Sequence, residues 1–134
     1  MTMNLPPHCT ALLSAKAESK LTFSEIAQKI SKPEVWTTAL FFGQAHADEA
    51  TAKAIVNTLE IGSSVSYGPE NKSMSVQMIE GGLSGKGGID GMVSRGGTWE
   101  WPPKDPVIYR LYEVLVVYGW SYKALIHEKV RVQF

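Results

Sequence analysis

Arg110 and Glu113 lie three residues apart in the stretch "DPVIYRLYEVLVVYG". That spacing puts both side chains on one side of a helix, a single turn apart and within reach of each other. Every other residue from Val107 to Tyr118 is aliphatic or aromatic. Such a helix has no solvated face and should be buried, by its own chain or by a neighbouring subunit. A charge in so apolar a setting is costly unless it is paired. Two uses would justify the pair. One is structural, a salt bridge that sets the register of the helix. The other is chemical, a permanently charged guanidinium fork steadied by a carboxylate and ready to grip a small planar anion. In a dry site the same fork would stabilise developing negative charge. Spacing alone does not choose between the two.

Other constellations are weaker. "LTFSEIAQKISKPEVWTTALFFG" has the lengths and tight turn of a helix-turn-helix. A DNA reader needs Arg, Lys, Asn or Gln on its second helix, whereas this one offers Glu34, Trp36, Thr37 and Thr38. Residues 1–60 carry five lysines against six acids, so the flanks supply no basic field. "GGLSGKGG" suggests a phosphate loop, but the first glycine the motif requires falls on Glu80, and Lys86 is followed by Gly87 rather than Ser or Thr. His8, Cys9, His46 and His127 lack metal-ligand spacing, and no metal site is expected. No serine sits in a nucleophile elbow or beside a histidine.

The elements that must position Arg110 and Glu113 fall into three parts and imply a mainly α protein. Residues 1–62 read as a helical bundle resembling a helix-turn-helix, with His8 and Cys9 in a loose start before the helix "TALLSAKAESK". In the next helix Thr22 and Glu25 form a capping box, and Phe23, Ile26, Ala27 and Ile30 share one face. Pro33 opens a third helix that Gly43 stops, and "ADEATAKAIVNTLEIG" forms a fourth, ending at Gly62. Residues 63–104 read as a glycine-rich linker or insert. Eight of the twelve glycines lie between Gly81 and Gly97, too many to repay the entropy of ordering, so a mobile loop is expected, preceded by a strand over "SMSVQMI". Residues 105–134 read as a helical hairpin. Asp105 caps, Pro106 takes the first helical position, Gly119 ends the first helix near Tyr118, and Ser121 caps a second. Thirteen basic residues balance thirteen acids, so bulk electrostatic binding to nucleic acid or an anionic membrane is not expected. No apolar run is long enough to span a bilayer, no secretory leader is evident, and the single cysteine suits a reducing compartment, so a cytoplasmic location is expected.

"DPVIYRLYEVLVVYGWSYKALIHEK", residues 105–129, resembles the signature region of the cyanase (cyanate hydratase, or cyanate lyase) family, especially its fungal members. "RGGTWEWPPK" resembles the fungal lead-in, and "LTFSEIAQKI…EVWTTALFFGQAHADEATAKAIVNTLEI" is similar to the family's helical domain, which looks like DNA-binding bundles without binding DNA. The resemblance implies a lyase that decomposes cyanate with bicarbonate as co-substrate, through an unstable carbamate, to ammonia and carbon dioxide, a detoxifying reaction with no metal or organic cofactor. It identifies Arg110 and Glu113 with the family's catalytic arginine and glutamate. It implies a homo-oligomer, a decamer of dimers in the family, with sites between subunits. Two stretches depart from the pattern. After "HEK" the chain reads "VRVQF", so the family's downstream serine and C-terminal β strands are not matched, and Ser121 does not stand in for that serine. "SVQMIEGGLSGKGGIDGMVS", residues 75–94, has no counterpart in the family pattern. A splice form or a gene model reading through introns would account for both. The expectation is a chain of impaired turnover with an exposed, aggregation-prone hairpin. The alternatives are a non-catalytic isoform that co-assembles with a full-length cyanase and a helix-turn-helix regulator.

Overall fold

The computed structural model describes residues 5–85 and 102–130, which belong to two compact units. Among the described residues there are six helices and one two-stranded sheet, so the chain is mainly α.

The first unit begins with α1 (Pro7–Ser19), α2 (Phe23–Ile30), α3 (Glu34–Leu40) and α4 (Glu49–Thr58). Local chemistry sets their ends. Lys20 and Ser31 adopt left-handed φ of 61° and 58° as they close α1 and α2, and their N–H groups return to carbonyls of the preceding turn. Thr22 and Glu25 form the reciprocal capping box, with Glu25 N donating to Thr22 Oγ1 at 3.1 Å and Thr22 N donating to Glu25 Oε1 at 3.0 Å. Those bonds hold the Glu25 carboxyl below the usual range. The Asp48 side chain caps α4 by accepting from Thr51 N at 2.8 Å, and hydrogen bonds from the Thr51 side chain and backbone lower its pKa.

The helices bury one apolar stripe each around Leu12, Ile26, Leu40, Phe41 and Ile55, all with less than 2% of their surface exposed. Each such side chain contributes roughly 1.5–3 kcal/mol by leaving water. Phe23 meets Phe41 edge-to-face at 5.2 Å, and the Lys16 ammonium lies 4.3 Å above the Phe23 ring. Phe23 is thus held from both sides.

Residues after α4 join this core. A hairpin of β1 (Ser64–Tyr67) and β2 (Lys72–Ser75) pairs Val65 with Met74 and turns at Gly68 and Asn71, both at positive φ. It leads directly into α5 (Val76–Ser84). Strand character was expected through Ile79 and a mobile loop beyond it; instead residues 76–84 are helical. The Ser75 hydroxyl caps the helix by accepting from Met78 N at 3.3 Å, and Gly85 closes it at φ 78°. Ile79 and Leu83 are buried in the bundle core, and Ala47 N donates to Leu83 O at 2.8 Å. Burial of that face outweighs the entropy cost of Gly81 and Gly82. Gly82 also has a steric role, because a Cβ there would lie 2.8 Å from His8 Cβ and closer still to the His8 ring. The rest of the glycine run, from Lys86 to Gly97, and the "TWEW" lead-in lie outside the described residues, as does "RVQF".

The second unit contains α6 (Pro106–Val130), a single helix of 25 residues. The hairpin expectation is therefore corrected. Gly119 remains helical and is absent from the positive-φ residues. A glycine costs a helix interior about 1 kcal/mol relative to alanine. Its neighbours Val117, Tyr118, Trp120 and Ser121 are only modest helix formers, and the ladder passes through Gly119 because adding one residue to a helix already formed costs far less than starting a new one. Asp105 caps the start, its Oδ1 accepting from Val107 N at 2.9 Å and Ile108 N at 3.1 Å.

Candidate functional site on helix α6

Arg110 and Glu113 are brought together by one turn of α6, with Arg110 Nη1 3.6 Å from Glu113 Oε1. At that distance the two charges attract without a tight bidentate bond, leaving the guanidinium donors available to a ligand. The Arg110 side chain is 82% exposed and that of Glu113 44%. An exposed pair of this kind contributes roughly 0.2–1 kcal/mol, too little to explain its place on so apolar a helix.

The surroundings are aromatic and aliphatic. The Tyr109 and Tyr112 rings meet at a tilt of 47°, 5.9 Å apart, and further along Lys123 lies 5.0 Å over the Trp120 ring. Within the chain α6 has no buried residue: Leu111, Leu115, Val116 and Val117 are each more than half exposed, and Trp120 is 81% exposed. Within its own unit the described residues bury no side chain of α6. What the arrangement offers chemically is a fixed cation, a carboxylate beside it, and apolar walls that would exclude water once covered.

The remaining candidates separate from this pair. His8 and Cys9, expected in a loose terminus, lie inside α1 and are buried. "LPPHC" carried a signal for this, since Pro7 occupies a favoured first-turn position. Cys9 Sγ lies 3.5 Å from His8 Nε2 and donates to Leu40 O at 3.7 Å. Burial pushes the thiol up to about 12, against a lowering backbone bond to Gly43, so it is not a nucleophile at neutral pH. No group of three His, Cys, Asp or Glu among the described residues could hold a metal ion. No helix among them is long and apolar enough to cross a membrane. α2 and α3 are joined by residues 31–33 and pack against each other, but α3 exposes Glu34 and Val35 and carries no basic residue.

Comparison with known proteins follows the same division of the chain. Residues 9–65 match the family model described as cyanate hydratase, N-terminal, and residues 100–131 match the cyanate lyase C-terminal domain. The second match contains Arg110 and Glu113. Cyanate hydratases from two strains of Cryptococcus neoformans var. neoformans serotype D, JEC21 and B-3501A, are each 55% identical to the chain over 137 residues, spanning 94% of it and 74% of the relative. The crystal structure of cyanase from T. urticae superposes with a TM-score of 0.62 at 29% identity, covering 88% of this chain and 70% of that one. With both segments matched and more than half the residues identical to those of these relatives, the chain belongs to the cyanate hydratase (cyanate lyase) family.

Proposed function

We propose that the chain is a lyase that decomposes cyanate, with bicarbonate as co-substrate and Arg110 and Glu113 as its catalytic residues. The observation that carries this reading is the Arg110–Glu113 pair, one turn apart on α6 within the segment matched by the cyanate lyase domain. Both substrates are anions that must come into contact. Two unit negative charges about 4 Å apart repel by roughly 4 kcal/mol at an effective dielectric of 20. A guanidinium placed between them offsets that repulsion and aligns them through its planar donors.

A bicarbonate oxygen adds to the cyanate carbon, and the former cyanate nitrogen takes two protons, one from the bicarbonate hydroxyl and one from solution. The adduct releases carbon dioxide to leave carbamate, which takes a second proton from solution and breaks into ammonia and carbon dioxide. Cyanate, bicarbonate and two protons are consumed, giving ammonia and two carbon dioxides, with no change of oxidation state and no need of an organic cofactor or metal. Arg110 holds the anions and stabilises charge on the adduct. Glu113 fixes the guanidinium and is placed to pass a proton to nitrogen. The apolar sides of α6 support assembly as a homo-oligomer, a decamer by analogy with the family, with sites near the subunit contacts. A cytoplasmic location, and function without nucleic acid or membrane partners, complete the reading.

Ammonia release from cyanate, with and without bicarbonate, tests it. Arg110→Ala should lower turnover roughly 10²–10³-fold, as expected on losing a donor to a developing oxyanion. Arg110→Lys should restore only part of it, because a point charge lacks the fork. Turnover untouched by Arg110→Ala would refute the assignment.

A further inference from the structure

Four residues near the start of α6 are ordered around the helix as well as along it. Each residue advances about 100° at 3.6 residues per turn, so Tyr112, Tyr109, Glu113 and Arg110 follow one another around the circumference within an arc of about 160°. Glu113 is bracketed in that order, by Arg110 three residues earlier on one side and Tyr109 four residues earlier on the other. Side chains at those spacings are neighbours on a helix surface. They also lean toward the N-terminus, so the Glu113 side chain lies over the turn that carries Tyr109 and Arg110. Tyr112 stands beyond Tyr109, the two rings 5.9 Å apart. Exposure follows the same order. The Arg110 side chain is 82% exposed, that of Glu113 44%, and Tyr109 41%, while Tyr112 is half-buried. The aromatic flank of the carboxylate is thus the covered one, and the guanidinium flank is open.

We propose that Tyr109, backed by Tyr112, is a positioning residue for the Arg110–Glu113 pair. Its ring is a wall on the flank of the carboxylate opposite the guanidinium. The wall closes to Glu113 the rotamers that turn it away from Arg110, and it keeps water off one side of the carboxylate. An unconfined glutamate spreads over several staggered rotamers. Only those directed at Arg110 steady the fork and bring a proton within reach of the anions gathered there. The wall acts by shape and apolarity, so the ring is required and its hydroxyl is not. This deepens the proposed function, on which it rests only for the task given to Glu113.

Two measurements on the full 134-residue chain test it. The first is independent of turnover. An aromatic ring beside a methylene group displaces its NMR signals, so isotope-labelled Glu113, assigned by its loss in Glu113→Gln, should resonate away from ordinary glutamate positions. Tyr109→Ala should remove that displacement, and Tyr109→Phe should keep it. Alanine favours a helix more than tyrosine does, so α6 itself is retained. Ordinary Glu113 signals in the native chain, or a displacement that survives Tyr109→Ala, would overturn the proposal. The second measurement is ammonia release from cyanate and bicarbonate. Tyr109→Ala should lower kcat by roughly 10- to 100-fold, as small misplacements of reacting groups do. The KM of each anion should change little, since Arg110 still holds both, and Tyr109→Phe should restore kcat. On a Glu113→Gln background Tyr109→Ala should have no further effect, because the two residues act as one unit. Additive losses would mean that Tyr109 does not act through Glu113, and the proposal would fall. Arg110→Ala is measured alongside. Turnover untouched by that change refutes the catalytic assignment, whereas its loss there with full kcat in Tyr109→Ala refutes the wall alone.

Discussion

Gly81 and Gly82 are neighbours in α5, yet replacing each with alanine should move stability in opposite directions. Both sit in a helix interior at negative φ, so each alanine gains roughly 0.5–1 kcal/mol from reduced freedom of the unfolded chain. At Gly81 nothing lies within 4 Å of the new methyl group, and the gain should appear in full. At Gly82 the methyl would stand 2.8 Å from His8 Cβ and nearer to the ring. His8 is itself buried at 6% exposure and cannot swing into solvent without opening α1. Forcing a methylene-sized group into such a contact costs typically 1–3 kcal/mol. The net expectation is about +0.5–1 kcal/mol for Gly81→Ala and about 0–2.5 kcal/mol of loss for Gly82→Ala. In a unit of this size 1 kcal/mol corresponds to roughly 4–8 °C in Tm. Urea or thermal melts of the two variants, followed by helical circular dichroism, read the contrast. Equal stabilisation by both alanines would show that α5 does not rest on His8, and the packing argument for residues 76–84 would fall with it.

Loss of the α2 cap should show both in size and in pH dependence. Thr22→Ala removes the oxygen that accepts from Glu25 N and should cost about 1 kcal/mol in denaturant titrations. Because the folded Glu25 pKa is depressed, its contribution is present above the unfolded value of about 4.3 and is lost as pH falls through the lower folded value; Glu25→Gln should flatten stability in that acid window and leave pH 7–8 unaffected in slope. Cys9, with its thiol pushed up to about 12, should react with a disulfide reagent at pH 8 only at the rate of local opening, and readily in urea. Fast labelling of the native protein would contradict its burial.

Some of this protein was written locally and could be read without its fold. The Thr22–Glu25 box, the Asp105 cap and the i, i+3 placement of Arg110 and Glu113 depend on groups within three residues of each other, and the local chain decides such contacts. The mainly α class followed from the same periodicities, and the "YR-x-YE" stretch with its "YKALIHEK" tail carried the family. Three matters were settled only in three dimensions. Glycines 81 and 82 read as loop because their local entropy favours it; a helix forms because Ile79 and Leu83 reach a core made by residues far away in sequence, and Gly82 is needed where α5 touches His8. His8 and Cys9 read as terminal and loose because neither has a local partner; α5 and the chain around Leu40 and Gly43 bury them. Gly119 read as a stop because glycine is a common helix end, but whether a helix ends depends on the left-handed turn and competing partners that follow. None is made here, so the ladder continues through Val130.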